Sequence, residues 1–211
     1  KDCLDTFTGL LQERARKPVK NDLISMMAHS EMINMDAQEF MGTLILLIIG
    51  GNDTTRNSIS GGLLALNQYP DEMRKLRSNP ALVPHLIPEI IRWQTPLTSM
   101  RRTTTRAVKL GGQEIPEGEK VMMWYLSGNR DESVIPEPDR FIIDRAKPRH
   151  HLSFGFGIHR CVGNRLAELQ LRILWEEILS RDLKIEVVGT PERTYSNAVR
   201  GFTKMPVRIS G

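Results

Sequence analysis

The sequence predicts a mainly α-helical fold with small β-sheets. A helical pattern of apolar residues runs from Asp36 to about Tyr69, a length that crosses a whole domain. A second amphipathic helical pattern covers residues 164–180, whereas strand patterns are confined to residues 98–125 and to the tail of the chain. Helices therefore form the framework, and the strands add to it.

The long helix has clear start and stop signals. Asp36 with Glu39 three residues later resembles a capping box, and Pro70 marks the end. Gly50 and Gly51 lie inside the predicted helix, where each glycine lowers helix stability by about 1 kcal/mol relative to alanine. Their presence predicts either close approach of another group, with local widening of the helix, or close helix packing. Shorter helices are predicted over residues 1–17, 22–30, 71–77 and 84–94.

Strand patterns follow the helix predicted over residues 84–94. Gly111–Gly112 marks a turn, and a second turn lies at residues 116–118. Residues 127–160 lack periodicity, and so long an irregular segment is usually functional. Strands are predicted over residues 98–110, 114–115, 120–125, 183–188 and 206–209.

Composition places the chain among globular proteins that do not cross a membrane. Its 211 residues are 40% hydrophobic and 26% charged. The longest apolar run, residues 44–49, is far below the ~20 residues that span a bilayer. The chain starts without an initiator methionine or a cleavage signal, so its targeting is not readable.

Charge and cysteine usage narrow the class further. The balance of 29 Lys and Arg against 25 Asp and Glu gives a net charge of +4, without the basic runs of a nucleic-acid binder. The two cysteines, Cys3 and Cys161, fit a reducing cytoplasm better than a disulfide framework. Basic residues near Cys161 predict a surface for an acidic electron donor, or else scattered solubilising charge: Lys147, Arg149, Arg160, Arg165 and Arg172.

A single thiol lies behind a glycine-rich turn and directly ahead of the helix predicted over residues 164–180. A thiolate at a helix N-terminus is favoured by the dipole and by free N–H groups. Gly155, Gly157 and Gly163 let the backbone approach something flat and bulky. A haem iron with a cysteinate ligand fits this pattern, and an inert buried cysteine is the alternative for a lone residue of this type.

The stretch from Phe154 to Gly163 reads FxxGxxxCxG and resembles the haem-ligand signature of the cytochromes P450. Companion motifs occur in the family's order. Residues 49–55 resemble the acid–alcohol pair of the distal helix, residues 89–92 match ExxR, and residues 136–141 resemble the loop that adds a second arginine. The resemblance implies the cytochrome P450 fold. Because complete members are longer, it also implies that residues 1–211 are the C-terminal, haem-binding part of a single domain.

The resemblance assigns haem b as the cofactor and Cys161 as its iron ligand. It implies that His159 and Arg102 donate to the haem propionates, with Arg101 as the substitute if the register shifts by one. Phe154 packs near the thiolate side of the ring. Room for the ring comes from Gly157 and Gly163.

The resemblance also implies a proton relay and a structural network. Asp53 and Thr54 are the catalytic pair that delivers protons to dioxygen, and a role for Asn52 stays open. A buried charged network bracing the cysteine loop is implied for Glu89, Arg92 and Arg140. Pocket positions, each of which is also explained as core, are Leu46, Ile49, Gly50, Leu97, Thr98, Met100, Ala198 and Val199.

Three longer strings, beginning at residues 50, 87 and 151, are similar to the soluble bacterial cytochromes P450 that hydroxylate medium-chain alkanes and fatty acids at the terminal carbon. The expected function is a cytoplasmic haem-thiolate monooxygenase that uses electrons from NAD(P)H through a ferredoxin reductase and an iron–sulfur ferredoxin. Alternatives are hydroxylation of another hydrophobic compound, peroxygenase, isomerase or dehydratase chemistry, and a non-catalytic haem sensor.

Overall fold

The structure is a computed structural model that describes residues 2–211, apart from the Cys3 side chain. The chain forms two compact units, one ending at Gly50 and the other running from Gly51 to Gly211. Within the described residues the α-helices are α1 (Asp2–Ala15), α2 (Leu23–Ala28), α3 (Ala37–Gln68), α4 (Pro70–Ser78), α5 (Val83–Gln94), α6 (Tyr125–Gly128) and α7 (Asn164–Ser180).

The strands of the described residues pair into small antiparallel two-stranded sheets. These pairs are β1 (Ser99–Thr103) with β4 (Lys120–Trp124), β2 (Val108–Leu110) with β3 (Gln113–Ile115), β5 (Lys184–Val187) with β8 (Val207–Ser210), and β6 (Glu192–Arg193) with β7 (Phe202–Lys204). Short 3-10 helices cover Glu31–Asn34, Pro80–Leu82 and Gly157–His159. The predicted class, mainly α with small sheets, is confirmed.

Helix α3 begins where its capping signal predicts. The Asp36 carboxylate accepts hydrogen bonds from the backbone N–H groups of Gln38 and Glu39, both at 2.8 Å. The helix then continues to Gln68 as regular α-helix. The local widening expected at Gly50 and Gly51 is therefore not observed, since α3 is α-helical at both positions.

A different glycine pair allows close helix packing. A Cβ at Gly61 would lie 2.1 Å from Oε1 of Gln94, and a Cβ at Gly62 would lie 2.6 Å from Cδ1 of Ile90. Both partners belong to α5, so α3 and α5 meet at a distance that side chains on α3 would prevent. No atom lies within 4 Å of a Cβ built at Gly50 or Gly51.

Helix α5 lies at the centre of the second unit. Nine of its positions are buried, including both members of the ExxR motif. It packs with α7, whose inward positions are Leu171, Trp175 and Ile178. An aromatic cluster closes the core at the end of α5, with the Trp93 ring 5.6 Å from Tyr69 and 5.8 Å from Phe141.

The first unit has its own small core. Residues of α1, α2 and the start of α3 contribute Leu11, Met27, Phe40 and Leu44. Helix α2 starts directly after Asp22, whose carboxylate caps it by accepting from the Ser25 N–H at 2.8 Å. No helix among residues 2–211 combines the length and the apolar character needed to cross a bilayer.

Most predicted elements match the structure within two residues, and the departures are local. The strand predicted over residues 98–110 is split between β1 and β2, and Tyr125 begins α6 instead of ending β4. Strands β6 and β7 were not predicted, because so short a pair carries little periodicity. Three apolar residues of α7 that continue the helical pattern are exposed: Leu166, Leu169 and Ile173.

Candidate functional site

The candidate site is the loop that carries the thiol of Cys161. The backbone N–H of Cys161 donates to the Phe154 carbonyl at 2.8 Å and closes the loop. Within it, Gly155 and Gly157 have φ angles of 67° and 72°, a left-handed backbone that side-chain-bearing residues rarely adopt. The loop therefore depends on these two glycines for its shape.

The thiol is free and exposed, and it lies two residues before the Gly163 cap of α7 instead of in the first turn. A Cβ on Gly163 would approach Sγ of Cys161 to 4.0 Å, an ordinary contact distance. Gly163 is therefore not required by contact with the thiol alone. The inert, buried cysteine that a lone Cys usually represents is excluded.

Large apolar side chains next to Cys161 in sequence are exposed to solvent. Phe156, Ile158 and Val162 are 82%, 98% and 92% exposed. Such a patch is normal only where another group covers it. Apart from its chain neighbours, a Cβ on Gly157 would meet no atom of the described residues within 4 Å, so this face of the loop is open in the part of the chain that the structure describes.

Behind the loop, α5 holds a buried ion pair. The Arg92 guanidinium binds the Glu89 carboxylate through two hydrogen bonds of 2.8 Å, and both side chains are excluded from solvent. The i, i+3 spacing on one helix face produces this geometry, as the sequence predicted. Arg92 also donates to the carbonyls of Asn129, Pro138 and Arg140.

The second arginine on this carboxylate is Arg145, and the prediction of Arg140 is wrong. Arg145 Nε lies 3.0 Å from Glu89 Oε2, and its side chain is nearly buried. The Arg140 side chain is exposed and pairs with Glu137, while its carbonyl accepts from Arg92 and Arg145. The sequence does not distinguish the two because both follow the same loop, and only its path decides which one turns inward.

Asp53 and Thr54 lie side by side on α3, in the second unit. The Asp53 carboxylate accepts from Arg56 Nη2 at 2.9 Å, and both side chains are more than half exposed. Thr54 is half-buried, and its carbonyl accepts from the Ser58 hydroxyl at 2.8 Å. Arg56 was not singled out from the sequence, although its i, i+3 spacing from Asp53 was readable.

Of the proposed pocket residues, the second unit brings four together. Leu97 and Val199 form an isolated antiparallel bridge, and the Thr98 N–H donates to the Ala198 carbonyl at 3.0 Å. Met100 is exposed on β1. In the first unit, Leu46 and Ile49 are 71% and 57% exposed on α3, and Gly50 is exposed as well.

The remaining predicted haem contacts are accessible. His159 is exposed at the end of the short 3-10 helix, and Arg102 is half-buried on β1, where it donates to the Arg101 carbonyl at 2.9 Å. Phe154 packs against the core and lies 5.5 Å from the His151 ring. Burial and the positive charges of Arg160 and Arg92 lower the pKa of His151 to about 4.

The fold and site together define a protein that presents an exposed cysteine thiol on a glycine loop and holds a buried Glu–Arg pair on α5. The Cytochrome P450 family model matches residues 5–209. The chain belongs to the cytochrome P450 family.

Individual relatives support the same family assignment. The structure of a cytochrome P450-153 from Novosphingobium aromaticivorans is 50% identical and superposes with a TM-score of 0.94, covering 99% of this chain and 52% of that chain. The linalool 8-monooxygenase of Pseudomonas putida is 39% identical over 97% of this chain, and the methyl-branched lipid omega-hydroxylase of Mycobacterium tuberculosis is 35% identical over 98%. The chain spans about half the length of these relatives.

Haem is the cofactor that this family implies, and the residues present fit it. The free thiol would be a soft ligand for the haem iron, and the exposed apolar side chains near it in sequence suit a flat hydrophobic ring. The open space beside Gly157 leaves that ring room. His159 and Arg102 supply polar groups of the kind that bind carboxylates.

Proposed function

We propose that this chain is the thiolate-bearing part of a haem monooxygenase that inserts one atom of dioxygen into a C–H bond of a hydrophobic substrate. The observation that carries the proposal is the exposed Cys161 thiol on a closed glycine loop that also exposes the apolar side chains of Phe156, Ile158 and Val162. Haem bound here supplies dioxygen activation, which a thiolate ligand promotes. The Asp53–Thr54 pair favours this chemistry over peroxygenase, isomerase or sensor roles, which need no proton relay.

The polypeptide would hold and orient the cofactor. Cys161 would ligate the iron, and His159 and Arg102 would bind the propionates. Phe154 would pack behind the ring, since its side chain already rests on the core. The Glu89 network would hold the cysteine loop in a fixed position. Each of the hydrogen bonds that the Glu89 carboxylate accepts comes from a backbone N–H or an arginine.

Asp53 and Thr54 would deliver protons to the distal side. The Asp53–Arg56 pair is exposed, and exposed ion pairs are worth only about 0–1 kcal/mol. The carboxylate is therefore able to leave Arg56 and exchange protons with water. Thr54, one residue further and half-buried, would pass them on through its hydroxyl.

The proposed substrates are medium-chain alkanes or fatty acids, hydroxylated at the terminal carbon. The strings that resemble the bacterial terminal hydroxylases support this choice, as does the apolar character of the candidates Leu97 and Met100 in the second unit. Two relatives are named for oxidising hydrophobic compounds, one of them at the omega position. Burial of each methylene is worth about 0.8 kcal/mol, so affinity should rise with chain length until the pocket is full.

Electrons would come from NAD(P)H through a ferredoxin reductase and an acidic iron–sulfur ferredoxin. Lys147, Arg149, Arg160, Arg165 and Arg172 supply basic charge near the loop in sequence. Part of it is offset, because Arg149 and Arg165 both contact Glu168, and Arg172 binds Glu176. The remaining excess suits steering of an acidic partner at low ionic strength.

The test of the class uses the full-length protein with Cys161→Ser. Serine is a poor iron donor, so the thiolate-type carbon monoxide difference spectrum and substrate-dependent NAD(P)H oxidation should both disappear. Cys3→Ser is the matched control and should keep both. A surviving thiolate-type spectrum in Cys161→Ser would rule out this residue as the ligand.

The test of the substrate is the regiochemistry of octane oxidation by the full-length enzyme, measured by gas chromatography. Terminal attack is chemically harder than subterminal attack, so the pocket must enforce it sterically. Mainly 1-octanol is expected. A mixture dominated by 2-octanol and 3-octanol, or no product, would leave only the generic monooxygenase.

A further inference from the structure

Asn129 follows α6 directly and is fully buried. Both the nitrogen and the oxygen of its carboxamide make hydrogen bonds. Nδ2 donates to the hydroxyls of Thr95 and Ser153, each at 2.8 Å. Oδ1 accepts from the Leu152 N–H at 2.6 Å. Both amide donors and one acceptor site are thus satisfied inside the core, where an unpaired polar group would be costly.

On one side these partners fix the end of α5. The Thr95 hydroxyl donates to the Arg92 carbonyl at 2.6 Å, and the Ser153 hydroxyl donates to the Ile91 carbonyl at 2.8 Å. Both carbonyls lie in the last turn of the helix, and the Ile91 carbonyl also accepts from the Thr95 N–H at 3.0 Å. The Asn129 carbonyl in turn accepts from Arg92 Nη1 at 2.9 Å, which joins the amide to the Glu89–Arg92 pair.

Thr95 itself adopts a strained backbone. Its φ of 41° lies in the left-handed region, which a β-branched residue rarely enters. Such a residue costs on the order of 1–3 kcal/mol and persists only where its surroundings determine it. Here its hydroxyl is held between Asn129 and Arg92, so the network maintains the turn that ends α5.

On the other side the network leads to the cysteine loop. Leu152, whose N–H is bound by Asn129, accepts from the Gly155 N–H at 2.8 Å through its own carbonyl. Ser153 is covalently next to Phe154, whose carbonyl accepts from the Cys161 N–H. A shift of the Asn129 amide therefore reaches the Cys161 backbone through Ser153 and Phe154, by way of two hydrogen bonds and one peptide bond.

We propose that Asn129, through Thr95 and Ser153, is a positioning residue that sets where the Cys161 thiolate stands relative to the end of α5. This inference rests on the proposed function for the identity of the cofactor, but not for the geometry. A fully satisfied buried polar network specifies one arrangement of the chains that it joins, whereas an apolar core of the same volume tolerates several.

The test removes hydroxyls, because replacing Asn129 removes three side-chain bonds at once and risks unfolding. Thr95→Val deletes a hydroxyl while keeping the shape, and Thr95→Ser restores it. Ser153→Ala deletes the second hydroxyl. Ser25→Ala is the matched control, since Ser25 is a fully buried serine of α2 in the first unit whose hydroxyl accepts one hydrogen bond.

Two readouts on the full-length protein separate positioning from stability. Amide hydrogen exchange at Cys161 in the haem-free protein should become about tenfold faster in Thr95→Val and Ser153→Ala, the equivalent of one lost hydrogen bond. In the haem-loaded protein, the thiolate-type fraction of the carbon monoxide spectrum should fall in both. Thr95→Ser and Ser25→Ala should resemble the wild type in both readouts.

A lower melting temperature in Thr95→Val and Ser153→Ala, with Cys161 exchange and spectrum unchanged, would overturn the proposal and leave a purely stabilising role. Failure of the proposed function has a different signature. In that case the wild type itself gives no thiolate-type spectrum, while the exchange measurement, which needs no haem, still decides whether Asn129 positions the loop.

Discussion

At the scale of single residues, Asp53 and Thr54 are neighbours in sequence but differ in their exposure to solvent. Asp53 is exposed and is held by Arg56 alone among the contacts described above, whereas Thr54 is half-buried on the next position of α3. Exposure helps a carboxylate to exchange protons with water. A fixed position helps a hydroxyl to transfer them to a reaction centre. The two environments agree with the order proposed for the relay.

We expect Thr54→Ala to leave haem binding and substrate affinity nearly intact while uncoupling the enzyme. Without the hydroxyl, reducing equivalents should escape as hydrogen peroxide, and product per NAD(P)H consumed should fall several-fold. Thr55→Ala, at the adjacent half-buried threonine, is the control and should keep the wild-type ratio. Equal coupling in the two variants would remove Thr54 from the mechanism.

His151 should make stability depend on pH. Burial, with Arg160 and Arg92 nearby, lowers its pKa to about 4, whereas an unfolded histidine titrates near ~6.5. Between these values the unfolded chain binds more protons, so the free energy of unfolding rises with pH and is lost as pH falls through this window. The full contribution is roughly 3 kcal/mol.

Denaturant unfolding across that window in His151→Gln should show a flatter pH dependence than in the wild type. His150→Gln, which replaces the exposed neighbouring histidine, should keep the wild-type slope. If the slopes of the wild type and His151→Gln are equal, His151 is not buried in its neutral form.

At the scale of elements, the Glu89 network ties α5 to the loop that follows Pro136. We expect Arg145→Gln to lower the free energy of unfolding by about 3–5 kcal/mol, because it leaves a buried carboxylate short of a partner. Arg140→Gln breaks only an exposed pair with Glu137 and should change it by about 0.5 kcal/mol or less. Urea denaturation of both variants checks this, and a larger loss in Arg140→Gln would restore the sequence-based assignment.

The two glycine pairs of α3 should respond in opposite ways. Gly61→Ala forces a Cβ to 2.1 Å from the buried Gln94 side chain and should destabilise the protein by about 1–3 kcal/mol. Gly51→Ala meets nothing within 4 Å and should raise stability by about 0.5–1 kcal/mol through helix propensity. Thermal unfolding of both variants without haem measures this, and a destabilising Gly51→Ala would show that this position is packed.

These elements also show what a sequence can predict. Helix caps, proline stops and the i, i+3 pair of Glu89 and Arg92 are local, so their geometry follows from spacing. The choice of Arg145 over Arg140, the contact of Gly61 with Gln94 and the partners of Asn129 depend on segments that lie far apart in sequence. No periodicity encodes such contacts, and only the folded chain reveals them.

At the scale of the whole molecule, several exposed apolar side chains lie near Cys161 in sequence. Ile158 and Val162 precede α7, and Leu166, Leu169 and Ile173 continue along it with exposed side chains. Solvent exposure of so much apolar surface opposes solubility and invites a covering group. Haem would cover only the part beside the thiol.

We expect the 211-residue chain expressed by itself to bind haem more weakly than the full-length protein, since its relatives are about twice as long. Haem per polypeptide after reconstitution, measured by absorbance, should stay well below one for the isolated chain. Stoichiometric binding with a thiolate-type spectrum would show that this part holds the cofactor unaided.

Asn67 affects the tendency of the chain to associate with copies of itself. Its carboxamide donates to the Ile185 carbonyl at 3.1 Å and accepts from the Val187 N–H at 3.0 Å, so a side chain of α3 occupies the place of a neighbouring strand beside β5. Strand β8 covers the other edge. An open strand edge is a template on which identical chains stack. Asn67 thus blocks the edge of β5 against pairing with another copy of the chain. We expect its replacement to cause turbidity in concentrated solution before any loss of fold.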